Sequence, residues 1–417
     1  MSDIRFEGWL HRTGTGGVYQ DSAGNVGIAS TQPKTRLDIQ NGAFQIGPAG
    51  ICTATTVNTT NLINATPLTN RNLIINGAMR IAQRATSSTT SGYGDVDRWQ
   101  HEYTSTDEAP TFAQVSLTTS DTPYTLGLTK AFKITNGNQT SGLQAGSQIN
   151  FMQPIEAQNI RNSGWNYKSS SSYITLSYWV RASVAQEYHG FVKTADGSNY
   201  VYPFSLGTLS ANTWTKITKT IPGNSNLQID DDNGAGFQVW PVAFYGTNYT
   251  NDSITENAWA AWASGNRSTD QTSTWWTTND STFEVTGVQL ELGSVVTPYE
   301  HRRDADEFLS CCRYYFFTNA QHFFAARGNN SDGLVGFVET QVPLRASPSV
   351  TLTGALRHWG IDSNSSSTTT PTIPSFRANQ KGIRVNQTGH SGVNDDCVMT
   401  VQTDGSDGQG LAFDSEL

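Results

Sequence analysis

The sequence predicts an all-β protein in which a jelly-roll sandwich follows a glycine-rich N-terminal segment and precedes a C-terminal β domain. Three observations carry this. Charged residues make up only 15% of the chain and aromatics 11%, on a background of Gly, Ser, Thr and Asn, a composition that favours short strands joined by many turns. Period-two alternation recurs: Ile174, Leu176, Tyr178 and Val180 fall on one face of a strand, with Thr175, Ser177, Trp179 and Arg181 on the other. Turn clusters separate such stretches and no βαβ rhythm appears, which points to two packed antiparallel sheets.

At 417 residues the chain exceeds what one core usually organises, so two or three domains are expected. Residues 1–70 form the first region. Glycines recur every few residues there and no long apolar face develops, yet Leu37 and Ile39, then Asn41-Gly42, then Phe44 and Ile46 make a hairpin pattern with a suitable turn. An isolated hairpin is marginal, so it needs further copies or a neighbour to pack on. Residues 54–70 read as a polar linker.

Residues 71–300 form the sandwich. "NLIINGAMRIAQR" (72–84) reads as its first strand, "DVDRW" (95–99) begins the next, and the stretch from Phe283 to Arg302 closes it. "GFQVWPVAFYG" (236–246) is apolar on both faces and reads as an inner strand that Pro241 forces to bulge or lie at an edge. Phe283 and Val285 occupy odd positions while Val288, Leu290 and Leu292 occupy even ones, so a bulge belongs at Gly287. In residues 301–417, "RRDADEFLSCCRYYFF" (302–317) predicts a helix, with Phe308, Cys311, Cys312 and Tyr315 at helical spacing and Asp304, Asp306 and Glu307 early, where the dipole favours them. The alternation in residues 411–417 suits a terminal strand.

Several function classes are disfavoured. A net charge of −9 argues against nucleic acid and against anionic membrane surfaces. No signal-peptide core and no run near about 18 apolar residues occurs, so neither standard secretion nor membrane insertion is expected. Four cysteines, two of them adjacent (Cys311 and Cys312), do not make a disulfide framework and suit folding in a reducing cytoplasm. "GTGG" at Gly14 to Gly17 lacks the strand and helix of a dinucleotide loop. His101-Glu102 lacks the second histidine of a zincin, and no Gly-x-Ser-x-Gly elbow occurs. "DDDNG" (230–234) reads as a solvated acidic turn rather than a calcium loop. Asp95 and Asp97 read as turn and hydrogen-bond residues rather than a glycosidase pair. No catalytic residue, metal or cofactor is assigned.

Family resemblance enters at two places. "GNVGIASTQPKTRLDI" (24–39) resembles a segment common in bacteriophage tail fibres and related trimeric surface fibres, with Ala29 and Ser30 where the pattern usually has Gly and Thr. Asn72, Asn76, Gly77, Gln83 and Arg84, then Asp97, Arg98 and Trp99, then "TGVQLELGSVVTPYE" (286–300), resemble in order the motifs of a phage tail-fibre and receptor-binding family. That resemblance implies a jelly-roll sandwich similar to carbohydrate-binding modules, followed by an acidic, aromatic helix and a C-terminal β domain. It implies a homotrimer in the virion, folded in the host cytoplasm, docked to other tail proteins through residues 1–70 and adsorbed to host surface polysaccharide.

Aromatic side chains are the candidates for glycan contact, because sugar rings stack on them while neighbouring polar groups satisfy the hydroxyls. Trp259, Trp262, Trp275 and Trp276 lie in a polar stretch, and Trp179 stands beside Arg181 opposite the apolar face of its strand. Each has a competing assignment. Trp259 and Trp262, three apart, could pin a helical turn, Trp275 or Trp276 could fill the sandwich edge, and Trp179 could lie between subunits. The leading expectation is a non-enzymatic fibre that binds glycan multivalently. A particle adaptor or decoration protein without receptor contact, or a polysaccharide depolymerase, are the alternatives. The depolymerase would require carboxylates converging to roughly 5 to 10 Å.

Overall fold

The computed structural model describes residues 8–10, 17–28, 37–39, 44–46, 52–54, 70–318, 323–328, 333–353, 356–360, 363–369, 378–387, 398–403 and 410–417. The chain divides into two compact units, Met1–Ala65 and Thr66–Leu417. The protein is all-β, with helices only as short connectors.

The first unit is one sheet whose strands lie in chain order: β1 (Gly8–Leu10), β2 (Gly17–Gln20), β3 (Val26–Ile28), β4 (Leu37–Ile39), β5 (Phe44–Ile46) and β6 (Cys52–Ala54). β3 and β4 pair in parallel and the other neighbours antiparallel. The expected hairpin is β4–β5, with Ile39 opposite Phe44. Asp21 shapes the β2–β3 turn by accepting the Ala23 and Asn25 amides, both at 2.9 Å. Between its ends, the expected linker lies outside the described residues.

The second unit contains the sandwich. Its strands are β7 (Ser87–Ser88), β8 (Gln100–Thr104), β9 (Thr111–Ser116), β10 (Lys130–Thr135), β11 (Gln148–Glu156), β12 (Tyr173–Ala182), β13 (Gln186–Thr194), β14 (Tyr200–Leu209), β15 (Thr215–Pro222), β16 (Ala235–Tyr245), β17 (Ala260–Ala261) and β18 (Thr282–Leu292). One sheet has the order β15-β12-β18-β10-β9-β7, the other β17-β14-β13-β16-β11-β8. Ile174, Leu176, Tyr178 and Val180 face the shared core as their alternation requires, meeting Phe132, Phe151 and Phe237. His101 belongs to this core: its Nε2 lies 2.7 Å from Asp95, and its ring stacks 4.2 Å from Phe112.

Both expected bulges are present. Ser177 pairs with Gln289 but Trp179 with Thr286, so β18 carries one residue more than β12 here, and Gly287 takes φ +63°. β16 is a central strand despite Pro241, which pairs in register with Gly190 on β13; the bulge lies two residues on, at Ala243, where the register to β11 shifts between Phe244 and Val242.

The opening motif departs from expectation. Residues 72–84 form no strand, and Asp95 to Trp99 form turns that lead into β8. Asn76 and Met79 adopt φ +56° and +58°, which no strand accommodates. The segment instead takes a strand's place beside β18, beyond the end of β10. The Leu73 amide donates to the Leu290 carbonyl at 2.8 Å and the Val288 amide to the Gly77 carbonyl at 2.9 Å. The Asn72 side chain substitutes for backbone between them, giving a hydrogen bond to the Val288 carbonyl and taking one from the Leu290 amide, each at 3.0 Å. A Cβ on residue 77 would come within 2.1 Å of the Val288 carbonyl oxygen, so only glycine fits.

Residues in 302–317 and 414–416 contact that motif, and residue 300 lies within the second unit. The helix α3 (Asp304–Cys312) begins as expected but stops early, because Tyr315–Phe317 become a strand, β19, paired to the terminal strand β28 (Gly410–Asp414). Arg98 is buried. It pairs with Glu416, donates to the Pro154 carbonyl at 2.8 Å and lies 3.4 Å over the Tyr314 ring. Arg84 reaches Asp414 at 2.9 Å and Glu416 at 3.4 Å, over Tyr315. Gln83 donates to Asp97 and to the Tyr315 carbonyl, and Arg313 pairs with buried Glu156 at 2.7 Å.

The remaining strands are β20 (Phe323–Gly328), β21 (Leu334–Glu339), β22 (Ser349–Thr353), β23 (Leu356–Gly360), β24 (Ser363–Thr369), β25 (Ala378–Asn379), β26 (Gly382–Gln387) and β27 (Val398–Thr403). They form the sheets β19-β28-β22 and β24-β23-β27-β20-β21-β26-β25, around a second core that includes Cys312, Phe316, Leu344 and Phe413. Cys311 and Cys312 are free buried thiols.

Glu416→Ala strands the buried Arg98 charge and should cost about 3–5 kcal/mol in urea unfolding. An unchanged midpoint would show that the pair does not hold the two parts together. Asp97 gives a pH signature. Burial pushes its carboxyl up to about 6, against the hydrogen bonds from Gln83. The folded state therefore holds this proton more tightly than the unfolded chain, so the group's contribution is full below about pH 4 and is lost as pH rises through 6. Melting wild type and Asp97→Asn in parallel should show the wild type relatively more stable at pH 4.5 than at pH 7, and a pH-independent difference would contradict the assignment.

Candidate functional site

The outward face of the β17-β14-β13-β16-β11-β8 sheet is apolar where an outer face is usually polar. Phe191 on β13, Trp240, Val242 and Tyr245 on β16, Met152 on β11 and Val201 on β14 form a buried cluster there. The connection from β16 to α2 (Thr274–Thr277) folds over it and supplies Tyr249 and Trp262. Backbone hydrogen bonds fix this cover: Trp262 N to Asn199 O at 2.9 Å, Asn251 N to Ser268 O at 2.9 Å and Arg267 N to Tyr249 O at 3.2 Å. Phe191 stacks on Trp240 at 5.2 Å and lies 6.1 Å from Trp262.

Two cations sit on this aromatic bed. The Lys193 ammonium lies 4.4 Å from the centre of the half-buried Trp262 ring, and the Arg267 guanidinium 5.1 Å from it, 4.4 Å from Tyr249 and 5.1 Å from Tyr245. Cation–π contacts of this kind are worth about 0.5–2 kcal/mol each. Arg267 also donates to Gln148 and to the Tyr245 hydroxyl, both at 3.3 Å. Burial, then repulsion from Arg267, holds the Lys193 ammonium below its usual range, with Glu102 acting the other way.

Beside the cations is a polar floor. Asn150 on β11 pairs in register with Glu102 on β8 and with Val242 on β16. Asn150 is fully buried, yet neither amide atom has a protein partner, nor do Glu102 Oε2 and Arg267 Nε. Buried polar atoms without a protein partner are costly. Phe191, Tyr245 and Asn150 are closed off from solvent; the half-buried groups, the Trp262 and Tyr249 rings with Lys193 and Arg267, can hold a polar ligand with an apolar face and anchor an anionic substituent.

Of the residues singled out in the sequence, only Trp262 belongs to this face. Trp259 packs on Tyr202 and Phe237 and donates to the Pro222 carbonyl at 2.7 Å; between Trp259 and Trp262 the chain forms β17, not a helical turn. Trp275 and Trp276, in the single turn of α2, are 0% and 1% exposed, which leaves no ring face for a sugar. Both pack in the sandwich core, the competing assignment that the sequence offered for them. Trp179 is half-buried on the other sheet's outer face, against Leu128, Trp214 and Tyr299. Arg181 beside it is held by Asp121 and Glu284, both at 2.7 Å. Lys193, Arg267 and Asn150 were not singled out, and Glu102 was weighed only beside His101 as part of a zinc motif. Lys193 lies two residues from Phe191 on one strand face, a signal the sequence contains, but the placement of Arg267 depends on the path of the cover.

A cleft of about 960 Å³ lies elsewhere, between α1 (Ala157–Arg161), the end of β18 and α3. Its arginines serve the fold: Arg71 binds the Pro298 carbonyl, Arg302 pairs with Glu300 and Glu307, and Arg313 with Glu156. The acidic turn at 230–234 is closed by its own groups, Gly234 N donating to Asp232 at 2.9 Å, and no cluster suited to a metal occurs among the described residues.

No protein-family model and no curated protein sequence matches the chain. Among solved structures it is similar to a protein described as sugar-binding from Bacteroides thetaiotaomicron, at 12% identity and TM-score 0.29, over 54% of this chain and 100% of that one. It is similar to the enzymatically active domain of bacteriophage CBA120 tailspike protein 4, at 11% identity and TM-score 0.27, over 53% of this chain and 21% of that one. A CBM22 tandem domain from Paenibacillus barcinonensis is similar at 8% identity and TM-score 0.24, over 76% of this chain and 91% of that one.

Replacing Asn150 by Leu removes two unpaired amide atoms and should raise stability by about 1–2 kcal/mol in urea unfolding. Loss of stability would show that the amide is paired in solution.

Proposed function

We propose that the chain is a virion fibre protein that binds host surface glycan without cleaving it, through the outer face of the sandwich sheet that carries Lys193, Trp262 and Arg267. The observation that carries the proposal is this aromatic and cationic face, with a half-buried indole that bears two half-buried cations, set on a sheet of the sandwich. The fibre assignment rests on the sequence motifs from Asn72 to Trp99 and from Thr286 to Glu300, which resemble the phage family. Assembly as a homotrimer through residues 1–70 multiplies weak sites into avidity on a dense polysaccharide. On this reading residues 1–70 also join the chain to other tail proteins.

Purified full-length chain should adsorb to host cells and to their extracted surface polysaccharide, and scatter light as three monomer masses. Trp262→Ala should weaken adsorption at least tenfold while melting as a folded protein. Equal adsorption by the variant would reject the site. Release of oligosaccharides by the wild type would reject the non-enzymatic reading, and a monomer would reject the trimer.

A further inference from the structure

Among the described residues the two cations on the Trp262 ring have no carboxylate partner, unlike many arginines of the second unit; Arg161, held by the Ile229 carbonyl and the Tyr167 hydroxyl, is another exception. Arg84, Arg98, Arg181, Arg302 and Arg313 each have a carboxylate within 4.0 Å. Lys193 and Arg267 appear in no ion pair, and what surrounds them is aromatic or neutral: Trp262, Tyr245, Tyr249 and Gln148. Glu102 is near enough to act on Lys193 and Tyr245 but pairs with neither cation, and its Oε2 is unpartnered. Two cations against one carboxylate leave a local excess of one positive charge, on a chain whose net charge is −9. Half-buried like charges held together without a counter-charge repel one another, and an incoming anion would relieve that repulsion.

We infer that the glycan taken by this face is acidic, and that a carboxylate or sulfate of the saccharide seats between Lys193 Nζ and the Arg267 guanidinium, with the sugar body against Trp262. This rests on the glycan-binding reading given above and specifies its ligand. Carboxylate and sulfate present the same recognition chemistry, oxygen acceptors bearing negative charge, to an ammonium and a guanidinium. Glu102 on β8 and Gln238 on β16, whose Oε1 accepts the Trp240 indole N–H at 3.1 Å, stand on the same sheet face. The Trp262 ring is engaged by both cations, so its role is to hold them in place as well as to offer apolar surface.

The test is affinity electrophoresis of the full-length chain in gels containing alternating acidic polymers, hyaluronan for carboxylate and chondroitin sulfate for sulfate. Carboxyl-reduced hyaluronan and a neutral galactomannan serve as controls, and a single-stranded oligonucleotide tests for plain polyanion binding. Wild type should be retarded at least tenfold more strongly by an acidic polymer than by its neutral counterparts, and the retardation should fall as salt is raised. Lys193→Gln should lose most of the difference, Lys193→Arg should keep it, and Lys216→Gln, an exposed lysine on β15, should behave as wild type. Retardation by neutral and acidic polymers alike, unaffected by Lys193→Gln, would overturn the anionic assignment while leaving glycan binding standing. Retardation by the oligonucleotide equal to that by the acidic polymers would overturn saccharide selectivity. No retardation by any saccharide, with binding to extracted host polysaccharide retained, would overturn the acidic assignment, and loss of both would overturn the glycan reading with it.

Discussion

A buried guanidinium organises the second unit. Arg98 leaves water almost completely, and its surroundings come from four separated parts of the chain: the turn before β8, the Pro154 carbonyl on β11, the Tyr314 ring after α3, and Glu416. A charge in that position tolerates no partial solution, because removing any partner exposes the desolvation cost of the rest. Arg98 itself sits at φ +73°, a conformation a non-glycine residue holds only when its surroundings determine it. Asn76 works alongside it. Its amide donates to the Ile81 and Asp97 carbonyls at 2.8 and 3.0 Å, and its own carbonyl receives the Trp99 indole at 3.2 Å.

These contacts account for the compactness of "NGAMRIAQR" and "DRW" as motifs. The residues do not build a strand. They make an irregular knot whose side chains replace backbone pairing along β18 on one side and receive α3, β19 and the terminal residues on the other. Gly77 is fixed by the approach of the Val288 carbonyl, Gln83 by having to satisfy Asp97 and Tyr315 together, and Arg84 by the carboxylates of Asp414 and Glu416.

Period-two patterning made the sandwich legible wherever a strand has one wet and one dry face, as β12 does, and wherever a parity change or a proline marks a bulge, as in β18 and β16. Patterning misled at 72–84 because alternating apolar residues also suit a knot whose side chains point inward from turns; backbone at positive φ leaves no periodic trace in non-glycine residues. The helix at 304–312 was legible from its acidic first turn and apolar spacing. Its early end was not, because a distant strand claims Tyr315–Phe317. At the candidate site, tryptophan content identified Trp262 but could not separate it from Trp275 and Trp276, since all three lie in the same polar stretch and differ only in burial.

The cover over the candidate face is attached differently from the knot. Residues 246–273 leave β16 and return to α2 without entering the sandwich core beyond Trp259; they hold to the outer face of the sheet by side-chain packing and single hydrogen bonds, with β17 as their one strand pairing among the described residues. Arg267 and Trp262 ride on this segment, whereas Lys193 and Asn150 belong to the sheet. The cover between Gly246 and Ser273 can therefore change in length or sequence while the framework that folds the chain stays as it is.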